Sequence, residues 1–173
     1  MNSMAAADTI TVYSQQGVHL LNSAMEYYRF TGATLELPVL PVGINVQQKV
    51  YNGLGLTGAI GNYSVGVHAC KSDNLGGLGL WYYLGGSYSI SNSVPGALGL
   101  DAGVTANIKG VLSLFDLLAG GEAIFFSDSV QLDYFGGFNI PVFAGFDVAL
   151  LYSGLYSGTT HLLGGGLKLS YKF

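Results

Sequence analysis

Residues 98–108 alternate without a fault: Leu98, Leu100, Ala102, Val104, Ala106 and Ile108 on one side, Gly99, Asp101, Gly103, Thr105 and Asn107 on the other. Successive side chains of a strand point to opposite faces, so this run predicts a strand with one apolar face and one small or polar face. The same period recurs throughout the second half. Residues 78–90 set Leu80, Tyr82, Leu84 and Tyr88 against Trp81, Tyr83, Ser87 and Ser89, and residues 112–126 set Phe115, Leu117, Ala119 and Phe125 against Asp116, Gly120 and Glu122. Residues 130–140 set Val130, Leu132, Tyr134 and Phe138 against Gln131, Asp133 and Asn139. Pro141, which cannot donate to a ladder, is expected to end that strand. Residues 142–152 oppose Phe146, Val148, Leu150 and Tyr152 to Asp147 and Ala149. The last segment opposes His161, Leu163, Leu167, Leu169, Tyr171 and Phe173 to Lys168, Ser170 and Lys172.

The first half is less regular. Ile44, Val46 and Val50 oppose Asn45, Gln47 and Lys49, and Tyr63, Val65 and Val67 oppose Ser64, Gly66 and His68. Residues 54–60 also alternate, and Gly61-Asn62 predicts a tight turn. Residues 9–13 predict a short strand and residues 33–39 another, with Pro38 and Pro41 marking its end. Between them Leu20, Leu21, Ala24, Met25 and Tyr28 fall at helical spacing, although the same residues also suit an imperfect strand. Strand is the expectation here. The six second-half strands, with two to four from the first half, predict an all-β, up-and-down antiparallel barrel of eight strands, with ten as the alternative.

Composition decides what solvent such a barrel faces. Only 9% of the 173 residues are charged, against roughly 25% in an average soluble domain. There are 27 glycines and 12 tyrosines. So little charge cannot solvate an ordinary surface, and abundant glycine disfavours helices. No apolar run is long enough for a transmembrane helix, so a membrane chain of this kind must close its backbone hydrogen bonds in a barrel. A net charge of −4 without any Lys/Arg cluster argues against nucleic acid as a partner. Cys70 is the single cysteine, which excludes an intrachain disulfide. Residues 1–8 read as a leader remnant or an appended start, with Ala5-Ala6-Ala7 like a cleavage-site scar, and residues 9–173 as one barrel domain.

Leu167, Leu169, Tyr171 and the terminal Phe173 make a closing strand that resembles that of small bacterial outer-membrane β-barrels. Leu112-Ser-Leu-Phe115, then Gly121-Glu122-Ala123 and a Ser-Asp turn, resemble the YfaZ type in particular, without the charged loops of that type. The resemblance implies an outer-membrane location, a lipid bilayer as partner, recognition by the barrel-assembly machinery through the last strand, and a monomer. It also implies a periplasmic carboxy-terminus, which sends residues 61–62, 91–96, 127–129 and 153–158 to the outer side as loops and 71–74, 109–110 and 139–141 to the inner side. Tyr82, Tyr88, Tyr134, Tyr152, Tyr171 and Phe173 are the expected interface aromatics, with Tyr51 among further candidates. Asp101, Asp116, Glu122, Asp133 and Asp147, set against Lys168, are the expected lumen-lining residues. Their acidic excess would favour cations in an open path, whereas mutual hydrogen bonding would plug a small barrel.

No residue is expected to be catalytic, and neither a metal nor another cofactor is expected. His19, His68 and His161 have no paired metal-ligand spacing, and Gly76-Gly77 and Gly164-Gly165-Gly166 lack the form of phosphate loops. His161 beside Ser127, Asp128 and Ser153 would be needed for a barrel-type acyl-transfer enzyme, but on the alternating pattern His161 falls on the apolar face. The function classes are a small-solute or ion pore, a narrow non-conducting envelope barrel, and, third, a lipid-modifying enzyme. A soluble lipocalin-like barrel would need a polar outer face, which residues 98–108 do not offer.

Overall fold

A computed structural model describes residues 9–21, 24–37, 40–52, 63–90, 96–111, 114–158 and 160–173. They form ten antiparallel strands: β1 (Thr9–Leu21), β2 (Ala24–Glu36), β3 (Gly43–Asn52), β4 (Tyr63–Leu75), β5 (Leu78–Ile90), β6 (Ala97–Val111), β7 (Phe115–Phe125), β8 (Val130–Phe143), β9 (Phe146–Ser157) and β10 (Thr160–Lys172). Each strand pairs with its sequence neighbours, and β10 pairs with β1 to close the barrel. We call the end where β1 starts and β10 finishes the near rim, and the opposite end the far rim.

Ten strands replace the expected eight. The excess lies in residues 9–36, where a short strand, an ambiguous stretch and part of a third element are one hairpin, β1–β2, registered from Thr9↔Glu36 to Leu21↔Ala24. The helical spacing there was the accident of a turn: Leu20 and Leu21 belong to one strand, Ala24, Met25 and Tyr28 to the next. The hairpin also breaks the apolar-out rule, with Tyr28 buried inside and Gln16 and Arg29 exposed outside. Residues 54–60 and the expected Gly61-Asn62 turn lie outside the described residues, as do residues 91–95 of the expected 91–96 loop and Leu112 and Ser113 of the YfaZ-like run.

The strands outlast several expected turns. Residues 71–74 are paired in β4, and the turn is Gly76-Gly77, whose φ angles of 58° and 99° are the left-handed pair that a tight hairpin demands. Residues 109–110 lie in β6 and residues 153–157 in β9. Pro141 does not end β8: the strand continues to Phe143 through a register shift beside Pro141, where a missing donor is tolerated, and turns at Ala144-Gly145.

The outer wall is apolar, with Leu98 77%, Leu150 62%, Leu84 57% and Leu100 55% exposed. A soluble protein rarely presents so continuous an apolar surface, and a barrel in hydrocarbon requires one. The inner wall mixes polar groups with large aromatics lying flat against glycine. A Cβ at Gly32, Gly103 or Gly120 would collide with the ring of Tyr13, Tyr83 or Phe135 respectively. Part of the glycine content is therefore space for inward-folded rings.

Candidate functional site

The interior is organised by one cation that alternation alone placed on the inner face. Lys49 of β3 is 3% exposed, and its ammonium donates to Glu122 Oε2 of β7 and, at 2.6 Å, to Asp133 Oδ2 of β8. β3 stands opposite β8 in the ring of strands, so the bridge spans the barrel's diameter. Gln47 Nε2 donates to Glu122 Oε1 at 2.9 Å, the Tyr51 hydroxyl to Asp133 Oδ2 at 3.3 Å, and Gln131 Nε2 to Asp133 Oδ1 at 3.1 Å. All four carboxylate oxygens thus have donors, which a buried ionic group requires. The Phe30 ring adds a cation–π contact, its centroid 5.1 Å from the ammonium.

An apolar cluster lies on the far-rim side of this bridge. Tyr28, Tyr51, Leu155 and Leu162 form a buried cluster with Phe30 against it. His19 stacks on Tyr28 with ring centroids 4.5 Å apart, and Ser153 Oγ lies 3.2 Å from His19 Nε2 and 3.0 Å from the Tyr28 hydroxyl. Beside the bridge, Asp101 is fully buried between His68 Nε2 at 2.8 Å and Ser87 Oγ at 2.9 Å. His68 Nδ1 lies 3.0 Å from Asn45 Oδ1, so both ring nitrogens face side-chain oxygens. A cavity of about 240 Å³ runs from the near-rim half past the bridge to His19 and Ser153, walled by Tyr13, Trp81, Tyr83 and Phe135.

The six expected lumen residues do not form one cluster. Glu122 and Asp133 meet at Lys49, and Asp101 sits with His68. Asp116 is spent on the β6 bulge, accepting from Gly110 N at 2.9 Å and Asn107 Nδ2 at 3.3 Å. Asp147 is half-buried near the near rim, opposite Ser170. Lys168 lies over the Tyr13 ring, 5.1 Å from its centroid, and makes no ion pair among the described residues. Lys49 and His68 were the missing partners. His68 alternates with apolar neighbours and Lys49 lies between Gln48 and Val50, but nothing local in a sequence says which distant carboxylate a lysine will meet.

Of the expected interface aromatics, Tyr82, Tyr88, Tyr134, Tyr152 and Phe173 are exposed on the outer wall, and Tyr171 is half-buried with its ring 4.6 Å from that of Phe173. Tyr51 is a correction: it is 3% exposed and points into the barrel, because the row Asn45, Gln47, Lys49 continues through it. His161 stays on the outer wall with its Nε2 2.7 Å from the Tyr134 hydroxyl, whereas Ser153 faces inward. Donor atoms of His68, Asp101 and Glu122 lie within 4.8 Å of one another, a set chemically able to hold a metal ion, though each already has protein partners.

No protein-family model matches the sequence, and no curated protein matches it either. Among solved structures, an outer membrane channel from Pseudomonas putida F1 aligns over 99% of this chain and 97% of its own, with a TM-score of 0.52 and 9% identity. The translocator domain of the autotransporter NalP from Neisseria meningitidis aligns over 97% of this chain and 89% of its own, with a TM-score of 0.48 and 12% identity. A porin aligns over 99% of this chain and 60% of its own, with a TM-score of 0.45 and 10% identity. Closed antiparallel strands, an apolar outer wall and a polar interior agree with the first of these likenesses: the chain has the fold of a small bacterial outer-membrane β-barrel.

Proposed function

We propose that this chain is an outer-membrane barrel whose lumen is shut in the resting state, an envelope protein that does not pass hydrated ions freely. The observation that carries the reading is the Lys49 bridge to Glu122 and Asp133 across the diameter of the barrel, backed by the apolar cluster of Tyr28, Tyr51, Leu155 and Leu162. Hydrated ions need a continuous wet path, and a bridged ionic layer under apolar packing interrupts it. The acidic excess counts for less than composition suggests, because Glu122 and Asp133 share Lys49 and Asp101 lies against His68.

The near-rim cavity favours a second reading, a slow pore for small solutes that opens when the bridge parts. Bilayer conductance separates the two. On the closed reading the wild-type barrel is silent at modest voltage, and Lys49→Ala together with Tyr51→Ala raises the current. Steady wild-type channels overturn that reading in favour of the pore. A non-enzymatic role accords with His161 and Ser153 lying on opposite faces of the wall. Recognition of β10 by the assembly machinery and a monomeric state complete the proposal; deleting Phe173 is expected to reduce assembly in cells.

A further inference from the structure

Between the rims, the outer faces of β4 to β10 carry aliphatic, aromatic and glycine residues almost without exception, with His161 near the far rim paired to Tyr134. The exception to the apolar wall is contiguous and lies on β1, β2 and β3. Ser14 stands opposite Thr31, Thr31 opposite Gln48, and Gln16 opposite Arg29, all on outward positions. Thr31 Oγ1 donates to Gln48 Oε1 at 3.4 Å. Arg29 is exposed, and its guanidinium has no hydrogen bond or ion pair among the described residues. It is also the one charged side chain among them that faces outward away from the rims. The other outward charges, Lys71 and Asp73, pair with each other at 3.4 Å beside the β4–β5 turn.

An unpaired guanidinium on a lipid-facing wall is costly, and more so towards the midplane, so something must meet it. Its depth says what. Tyr27, 55% exposed, is the next outward residue towards the far rim, an axial step of about 5 Å at the usual strand tilt. An arginine stem can carry its head that far, to the level where lipid phosphates lie. Gln16 shares its row, and Ser14, Thr31 and Gln48 lie one row deeper. Charge with an amide in the first row, then hydroxyls with a second amide one row deeper, matches a phosphate above acyl-linkage oxygens in a lipid. A second copy of the chain fits worse: pairing this face with itself would juxtapose two Arg29 groups, and among the described residues the other outer faces offer no carboxylate between the rims.

We propose that the outer face of β1–β3 holds one anionic lipid of the far-rim leaflet, its phosphate on Arg29 and its linkage oxygens on Gln16, Ser14 and Gln48. The inference rests on the membrane-barrel reading, and folding is followed separately as the heat-modifiable shift on unboiled gels. The test is native mass spectrometry of the folded barrel released from micelles containing equal amounts of phosphatidylglycerol and phosphatidylcholine with the same acyl chains. The wild type is expected to retain one phosphatidylglycerol at least tenfold over phosphatidylcholine. Arg29→Gln should bring the two to parity, and Arg29→Lys should keep most of the preference. Gln16→Leu with Gln48→Leu keeps the charge and should lower retention several-fold, which tests the linkage contacts without touching Arg29. Equal retention by the wild type overturns the site, as does a preference unchanged in Arg29→Gln. A doubled mass that Arg29→Gln abolishes overturns it in favour of a protein contact. A barrel without the heat-modifiable shift would instead count against the membrane reading itself.

Discussion

Replacing Lys49 by Met is the most direct way to ask whether the cross-barrel bridge holds the barrel together. Methionine keeps the length and apolar stem of lysine and removes the ammonium that reaches Glu122 and Asp133. Both carboxylates are largely enclosed, with side chains 9% and 13% exposed, so water replaces little of what is lost. Removing one member of a buried ionic group typically costs about 3–5 kcal/mol, because the partners stay behind uncompensated. That corresponds to roughly two to four orders of magnitude in the unfolding constant. Urea titration of the barrel in lipid vesicles, read as the fraction keeping its heat-modifiable mobility, measures the effect. The triple change Lys49→Met, Glu122→Gln, Asp133→Asn should recover most of the stability, because neutral replacement of a whole buried ionic group is often nearly free. A single variant as stable as the wild type, or a triple variant no better than the single, would refute the reasoning.

Other regions make independent demands. Leu150→Arg, on an outward position that is 62% exposed, should cost about 2–4 kcal/mol in a bilayer and hardly anything if that face met water; vesicle refolding yields decide. Gly103→Val would drive a side chain into the Tyr83 ring and should destabilise by about 1–3 kcal/mol, with Tyr83→Ala in the same chain recovering part of the loss. Gly76→Val places a β-branched residue at a φ of 58° and should cost about 1–2 kcal/mol, visible in the same urea titration. His161→Ala removes one exposed contact with Tyr134 and should shift stability by less than about 1 kcal/mol, leaving conductance unchanged.

The strands whose outer faces are uniformly apolar were legible residue by residue. For β6, β8 and β10 the side on which each residue lies follows from period two, because the outward position is apolar or glycine nearly throughout, even where Phe135 and Leu162 turn inward. β1 and β2 were obscured by that rule failing: Tyr13 and Tyr28 turn inward against Gly32 and Gly17, while Gln16 and Arg29 turn outward. Turn positions were misjudged where polar residues such as Lys71 and Asp73 sit in strands that extend past the membrane and stay hydrogen-bonded in the rim. Within the site, alternation put Glu122, Asp133 and Lys49 on the inner face, but their meeting depends on ring closure. Strands far apart in sequence face each other only because ten of them complete the circle.

The β1–β10 seam has a kinetic consequence. Every other pairing in the barrel is a hairpin between sequence neighbours, but Thr11 pairs with Lys172 and Leu20 with Leu163, almost the full chain apart. The entropy of closing so long a loop is met only when this last ladder zips, so the seam is expected to form late in folding. Until then β1 and β10 are two unpaired edges, each able to accept a strand from elsewhere. A chain stalled at that stage would be an open sheet with Thr9–Leu21 and Thr160–Lys172 as its sticky borders, and strand exchange between two stalled chains would yield a swapped dimer rather than a monomer.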